Sequence, residues 1–295
     1  MNSKFNISLE VEEGATFKVV HVEEGLRIIA SPVRTSEYGD YKHPFIPDGY
    51  THVEGEWNTG FVIQDKQGNQ FVWVPVGSLP ANGTLNGSDF CEKFGRRNYR
   101  NDKFFNNEYH EDMDDGLKKQ FESVKRYGGF YISRYTVSMV DGNIRSIKGK
   151  KPLTEINFKE ALKKATYLYT WFVTSHLVYG AEYDSVLEWF LATGKSQQEI
   201  SEDSTSFGNY LNCKKSPKKV VKTGSREEWQ VNGIFDLAGN VWEWTQEKGG
   251  SYSRVLRGGS YDTDGNFCPF ARRVTELPDN SNFDFGFRVS LYIPV

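Results

Sequence analysis

DLAGNVWEW at residues 236–244 and RVLRGGSY at residues 254–261 are the segments of this chain that say most about its fold. Trp242 and Trp244 alternate about Glu243, so both indoles face one side and the carboxylate faces the other. Two tryptophans on one face indicate a packed core built on this stretch. Rings must supply much of the buried volume, because 15% of the chain is aromatic and only three residues are Met.

Glycines and arginines of the same region favour a loop-rich core. Gly239-Asn240 allows a sharp turn, because both residue types tolerate left-handed backbone angles. Gly258-Gly259 removes two side chains where the backbone passes close to another segment. Arg257, Arg273 and Arg288 each carry a planar fork of donors, which we expect to satisfy carbonyl groups that loops leave unpaired.

The rest of the 295-residue chain alternates between strand and helix patterns. Period-two alternation over residues 5–33 predicts a small meander of strands, and residues 60–75 predict a hairpin with its turn at 67–69. Helical spacing predicts three helices, at 114–127, 158–173 and 183–191. Further strands are expected at 131–140, 255–256 and 287–293, and long loops at 77–115 and 193–228. The layout is α+β.

The connector before residue 47 divides the chain. It is polar and punctuated by proline, which is typical of a linker, and we place a boundary near Pro44. Residues 1–45 are then an N-terminal β arm or attachment module, and residues 46–295 are the main domain. Irregular segments as long as those in the main domain are uncommon unless they bind something or are pinned by metal or packing.

Charge and leader sequence exclude several classes of protein. The net charge is −3, with no basic half, so we expect no nucleic-acid partner; the lysine-rich patch at 214–222 is expected to be a solvated loop. The first residues contain no apolar signal core, and no stretch approaches the ~20 apolar residues of a membrane span. We expect synthesis in the cytoplasm without a signal peptide, and no membrane insertion.

Cysteine usage limits the covalent chemistry. Cys91, Cys213 and Cys268 are odd in number and widely spaced. This pattern argues against a disulfide framework and against a zinc site made of paired cysteine motifs.

The motifs together resemble the sulfatase-modifying, formylglycine-generating-enzyme-like family. After the two opening segments come ARR at 271–273, PD at 278–279 and GFRV at 286–289. FVWVP at 71–75 and GFYISRY at 129–135 look like two strands of that family, and residues 177–189 look like a degraded version of its helix. The resemblance covers residues 49–295 and implies a loop-rich domain with a C-type-lectin-related fold.

The family that this chain resembles contains both enzymes and non-catalytic binding proteins. The formylglycine-forming members of that family look like copper-dependent oxidases that carry two cysteines after the Gly-Gly-Ser-aromatic motif. Two thiolates suit this role because they are soft ligands, which Cu(I) prefers. Counted from Tyr261, Cys268 falls at the second of those positions and Thr263 at the first; counted back from Arg273, the loop is three residues shorter. The chain therefore lacks one ligand, and we expect no redox cofactor.

A second enzymatic branch of the family uses iron. Its members resemble this fold joined to a histidine-rich bundle, in which two histidines and a carboxylate converge on the metal. The five histidines here form no such cluster, and we expect them on the surface or in packing: His21, His43, His52, His110 and His176.

A third branch is non-catalytic. The spacing of the glycine pair, Cys268, Arg273 and the later motifs looks like the variable ligand-binding proteins of diversity-generating retroelements and their phage relatives. Their loop residues form the recognition face, and aromatic rings mixed with Asn and Asp suit an adaptable or glycan-binding surface. Ordinary surface turns are the alternative. The matching positions are Tyr261, Asp262, Thr263, Asp264, Asn266, Phe267, Phe270, Glu276, Asn280, Asn282, Phe283 and Asp284.

The resemblance also implies structural calcium. Family members can hold the ion in the Gly-Asn-x-Trp-Glu turn through hard oxygen ligands. Here this assigns the Glu243 carboxylate with main-chain help from Ala238, Gly239 and Val241. A salt bridge between Glu243 and an arginine is the alternative.

We therefore expect a non-catalytic display protein that binds a host receptor or glycan, as a virion or tail-associated component of a phage or prophage. Residues 1–45 would attach it to other virion or tail proteins, as a homo-oligomer in an extracellular particle. The alternatives are a formylglycine-generating-type oxidase or related metalloenzyme, and a ligand-free structural particle protein.

Overall fold

The computed structural model describes residues 42–76, 108–112, 114–167 and 172–295, and the backbone of two strands nearer the N-terminus. Those strands, β1 (Thr16–Val22) and β2 (Gly25–Ser31), pair as an antiparallel hairpin. The hairpin confirms strands in the N-terminal segment; the run at 5–11 and most of the loop at 77–115, including Cys91, lie outside the described residues. The boundary near residue 45 stays a prediction.

Six antiparallel strands form the larger sheet: β3 (Tyr50–Glu54), β4 (Val62–Asp65), β5 (Gln70–Pro75), β7 (Gly129–Ser133), β10 (Thr174–Leu177) and β17 (Val289–Tyr292). Their order across the sheet is β10-β17-β7-β5-β4-β3. The β4–β5 hairpin matches the sequence expectation, with Gly68 at φ +83° in its turn.

The second sheet is built on the opening motif. Its members are β6 (Tyr109–His110), β13 (Trp242–Gly249), β14 (Arg254–Arg257), β15 (Arg273–Glu276) and β16 (Phe285–Phe287). β13 pairs antiparallel with β14 and with the short strand β6, and parallel with β16. Two hairpins complete the strands: β8 (Ser138–Val140) with β9 (Asn143–Arg145), and β11 (Gln230–Val231) with β12 (Ile234–Phe235).

Four α-helices lie within the described residues: α1 (Asp115–Tyr127), α2 (Phe158–Ala165), α3 (Gly180–Ala192) and α4 (Gln197–Ser201). Helix α1 follows the prediction, since Asp114 caps its first turn and Gly128 ends it at φ +85°. No helix in these ranges is long and apolar enough to cross a membrane.

Helix α2 is shorter than the predicted 158–173. It ends at Ala165, whose carbonyl oxygen accepts a hydrogen bond of 2.6 Å from the Ser175 hydroxyl. The chain then returns as strand β10, so the apolar residue Val173 is buried on the approach to a strand and not on a helix. In the sequence, apolar residues keep helical spacing beyond Ala165, although the helix ends there. The extension to residue 173 was wrong.

Aromatic rings fill the core, as the composition indicates. Trp73, Trp189, Trp229 and Trp244 are all at most 1% exposed. The Trp244 indole N–H donates to the Ile156 carbonyl at 2.9 Å, so this ring is both packed and hydrogen-bonded. Rings of this size explain how a domain with so much irregular chain encloses an apolar interior.

A buried ion pair connects the two sheets. The Arg288 guanidinium contacts both Glu243 carboxylate oxygens at 2.8 and 3.1 Å, and it donates to the carbonyls of Ser133 and Phe235 at 2.8 Å each. Arg288 thus satisfies main-chain carbonyls, as expected, but Ser133 and Phe235 are the last residues of strands and not loop residues. Glu243 also accepts a bond of 2.8 Å from the Thr136 hydroxyl, so its charge is fully engaged.

Arg257 and Arg273 bind carboxylates. Arg273 contacts Asp184 at 2.7 Å and Glu247 at 2.9 Å, and Arg257 contacts Asp184 at 3.1 Å. All four groups are buried, and they tie helix α3 to strands β13, β14 and β15.

We predict that Arg288→Ala lowers the free energy of unfolding by about 3–5 kcal/mol, because it leaves the Glu243 carboxylate buried without its counter-charge. Urea denaturation measures the change. Lys159→Ala is the control: Lys159 pairs with Asp279 at 2.6 Å, but both side chains are more than 60% exposed, and we expect a change within about 1 kcal/mol. Equal losses in the two variants would contradict the role given to the buried pair.

Candidate functional site

The candidate face lies on two loops, residues 258–272 between β14 and β15 and residues 277–284 between β15 and β16. The first loop begins at Gly258 and Gly259, which have φ of +93° and +77°. A Cβ at Gly258 would lie 2.6 Å from the Leu237 carbonyl oxygen, and one at Gly259 would lie 2.5 Å from the Tyr210 ring. The predicted close approach is confirmed, and it fixes where the loop leaves the sheet.

Short hydrogen bonds hold the first loop in place. The Cys268 N–H donates to the Asp264 carbonyl at 2.7 Å, and the Thr263 hydroxyl donates to the Ser260 carbonyl at 3.0 Å. The Asn212 side chain accepts from the Gly265 N–H at 3.0 Å, so a segment 53 residues upstream also supports the loop. The loop is therefore an ordered platform.

The predicted recognition residues separate into exposed and half-buried groups. Phe267 is 71% exposed and Phe283 is 47% exposed, and the Phe283 ring lies 6.2 Å from the Tyr261 ring, which brings the two loops together. The Arg272 guanidinium lies 5.7 Å from the Phe267 ring centroid. Other exposed members are Asp262, Asp264, Asn266, Asn280 and Asn282; Thr263 and Glu276 are half-buried.

Two predicted members are not on the surface. Phe270 is fully buried and packs between the rings of Tyr183 and Phe190, at 5.2 and 5.6 Å, so it is a core residue. Asp284 is 5% exposed, and burial raises the pKa of its carboxyl group. The main-chain carbonyl oxygen of Asp284 accepts a hydrogen bond from the main-chain N–H of Trp242 at 2.8 Å, which anchors the end of the loop to β13. Loop position alone does not reveal which side chains turn inward.

Cys268 and Thr263 lie together, as the count from Tyr261 implies. Burial raises the pKa of the Cys268 thiol, and the nearby Arg272 cation and a hydrogen bond with Thr263 act in the opposite direction. A protonated thiol beside a hydroxyl does not make the soft thiolate pair that Cu(I) requires. Cys213, the other described cysteine, is also a buried free thiol. The donor set here does not fit copper.

The suggested calcium ligand is occupied by other contacts. Both Glu243 oxygens bind Arg288, and the Gly239 carbonyl accepts from the Val241 N–H at 2.9 Å. This arrangement matches the salt-bridge alternative for Glu243; the calcium assignment to Ala238, Gly239, Val241 and Glu243 stays a prediction. Within the described ranges, no three His, Cys, Asp or Glu side chains are grouped to hold a metal.

Sequence reasoning missed Asn212 and Asp236 as residues that shape this region. Asn212 lies in a stretch interpreted as polar loop, and nothing in its spacing links it to residue 265. Asp236 is the first residue of the DLAGNVWEW segment and has φ of +56°. Its carboxylate accepts a hydrogen bond from the Gly224 N–H at 2.8 Å. Burial raises the pKa of Asp236 to about 7, while the Gly224 hydrogen bond and Arg288 oppose the shift and Glu243 adds to it.

We predict that Asp236 makes the chain less stable as pH rises. Its folded-state pKa of about 7 is above the ordinary 3.8, so the folded state holds the proton more tightly. This contribution is complete below pH ~4 and is lost as pH rises through ~7, with a slope of at most ~1.4 kcal/mol per pH unit. Stability relative to Asp236→Asn should therefore decline across that range in urea titrations, whereas exposed Asp279→Asn should follow the wild type. Parallel curves for the wild type and Asp236→Asn would rule out this titration.

A family model, the sulfatase-modifying factor enzyme 1-like domain, matches residues 64–292. Among curated proteins, the chain is similar to the inactive C-alpha-formylglycine-generating enzyme 2 of Mus musculus, 45% identical over 64 residues, covering 19% of this chain and 21% of the relative. It is also similar to the formylglycine-generating enzyme of Streptomyces coelicolor, 34% identical over 77 residues, covering 19% and 24%. The matched segments thus span less than a quarter of each relative.

Solved structures with a similar arrangement include Treponema denticola variable protein 1, with a TM-score of 0.38 and 16% identity over 55% of this chain and 84% of that one. PvdO from Pseudomonas aeruginosa has a TM-score of 0.45 and 14% identity, covering 81% and 100%. The Major Tropism Determinant U1 variant has a TM-score of 0.38 and 12% identity, covering 97% and 74%.

Proposed function

This chain belongs to the sulfatase-modifying factor enzyme 1-like family, and we propose that it uses the family's domain as a non-catalytic, ligand-binding display protein. The observation that carries the proposal is the pairing of Cys268 with Thr263 where the oxidases resembled here use two thiols. A hydroxyl is a hard donor and does not replace a thiolate toward Cu(I). The relatives include one named inactive and one named as an enzyme, so the names alone do not decide.

Exposure of the loop side chains supports binding. Phe267 and Phe283 present apolar rings to solvent from a hydrogen-bonded platform, and Asp262, Asp264 and Asn282 lie exposed on the same two loops. Rings that stack on sugar faces, with carboxylates and amides that bond hydroxyl groups, suit a glycan or a receptor surface. The acidic members favour a neutral or cationic ligand over an anionic one.

The display part of the proposal concerns the N-terminal segment. We infer that residues 1–45, which include the β1–β2 hairpin, attach the domain to other proteins of a phage or prophage particle, at the virion surface or the tail. The main domain would then project its loops toward a host surface. This arrangement needs no catalytic group.

We predict that Phe267→Ala with Phe283→Ala weakens binding to a host-surface glycan at least tenfold, because each lost ring removes a stacking contact of about 1–2 kcal/mol. A glycan array followed by titration of its best ligand measures the effect. Tyr252→Ala is the control: Tyr252 is 85% exposed and precedes β14, at the opposite end of that strand from the loop at 258–272 that carries Phe267. Unchanged binding in the double variant would remove the face from the proposal.

A second experiment separates binder from oxidase. We predict that the wild type with Cu(I) does not oxidise a cysteine-containing sulfatase peptide, and that Thr263→Cys binds Cu(I) at least tenfold more tightly, because it supplies the second soft ligand. Competition with a chromogenic Cu(I) chelator measures affinity, and Cys213→Ser is the control. Peptide oxidation by the wild type that disappears in Cys268→Ser would overturn the non-catalytic assignment.

A further inference from the structure

A second concave site lies outside the candidate loops. It is a cleft of about 490 Å³, formed by the β4–β5 turn, the β8–β9 hairpin and the last turn of α2. Helix α2 separates it from the candidate face, because its first turn contacts Asp279 through Lys159 and its last turn lines the cleft. The volume is within the ~300–1,000 Å³ range of small-molecule sites.

The cleft is cationic. Arg145, Lys163 and Lys164 line it, and no described carboxylate does. Arg145 donates to the Ile144 carbonyl at 3.2 Å, and within the described part of the chain neither lysine forms an ion pair. A guanidinium has five N–H donors, so Arg145 retains several for a ligand. Three cations around one concavity attract negative charge.

Asp65 and Asp141 lie in the turns that form the cleft, but neither side chain lines it. The Asp65 carboxylate accepts from the backbone of Gln67 and Asn69 at 2.9 and 2.8 Å and from the Asn69 amide at 2.7 Å. These bonds are internal to the β4–β5 turn. The Asp65 carboxylate therefore stabilises the turn, whereas Arg145, Lys163 and Lys164 line the cleft.

The remaining lining fits a hydroxylated ligand. The side chains of Gln67 and Asn143 are exposed and can bond hydroxyl groups, while Met139 and the Tyr167 ring supply an apolar wall. Burial raises the pKa of Tyr167, as do Tyr50 and Asp65, and Arg145 acts in the opposite direction. A cation beside a ring and two amides can bind both the charged group and the body of a sugar.

We propose that this cleft binds an anionic saccharide, a sugar that carries a carboxylate, sulfate or phosphate group. The site is independent of the candidate face, which has an acidic excess, so one domain would hold two ligands of different charge. The oxyanion contacts Arg145 and Lys164, and the ring hydroxyls contact Asn143 and Gln67.

The proposal is tested by calorimetric titration of the full chain with glucuronate, glucose 6-sulfate, glucose 6-phosphate and glucose. We expect saturable binding of at least one anionic sugar, and at least tenfold weaker binding of glucose. Comparison among the three anionic sugars identifies the acid group. Absence of saturable binding by all three, or glucose binding as tightly as they do, would overturn the proposal.

Matched variants distinguish a built site from general positive charge. Arg145→Gln with Lys164→Gln should weaken anionic-sugar binding at least tenfold, whereas Lys118→Gln with Lys119→Gln, which removes two charges from exposed positions of α1, should leave it unchanged. Equal losses in both pairs would show non-specific attraction only. The two sites also separate: the cleft variant should keep the glycan binding of the face, and the Phe267 and Phe283 variant should keep anionic-sugar binding.

Discussion

The bond between Arg288 and Glu243 is the constraint on which the other parts of this domain depend. Glu243 lies in β13, at the centre of the second sheet, and Arg288 also binds carbonyls of Ser133 and Phe235 from two other segments. A charged pair this deep is stable only if its remaining donors and acceptors are matched, and here they are. The pair therefore fixes strand β13 against the larger sheet. The loops that extend from the second sheet are held in place by the same contact.

Buried ion pairs separate the frame from the surface. The buried carboxylates Asp184 and Glu247 are paired with Arg257 and Arg273, and Asp284 and Phe270 turn inward to hold the loop ends. Exposed residues such as Phe267 contribute little to that frame. Their identity can change without loss of a buried contact, which is the physical condition for a surface whose ligand is set by side chains alone.

Much of the frame was predictable from the sequence, because turns and alternation act locally. Gly258 and Gly259, the capped helix α1 and the β4–β5 hairpin all followed from neighbouring residues. The failures involve distant partners. Apolar spacing could not tell that the segment after Ala165 would pair as β10, and no local signal assigned Asp184 and Glu247 to two arginines or placed Phe270 in the core. The loop positions gave the candidate face, but tertiary packing decided which of its side chains face solvent.

The neighbourhood of Cys268 is where the proposed binder and the alternative oxidase would differ in chemistry. The thiol is buried and burial raises its pKa, which favours the protonated form over the thiolate that binds metals. Thr263 occupies the adjacent position and uses its hydroxyl to bond Ser260 inside the loop. That hydroxyl thus stabilises the loop conformation. Under the proposed function, position 263 contributes rigidity and no metal chemistry, and a rigid loop lowers the entropy cost of binding a ligand on its exposed rings.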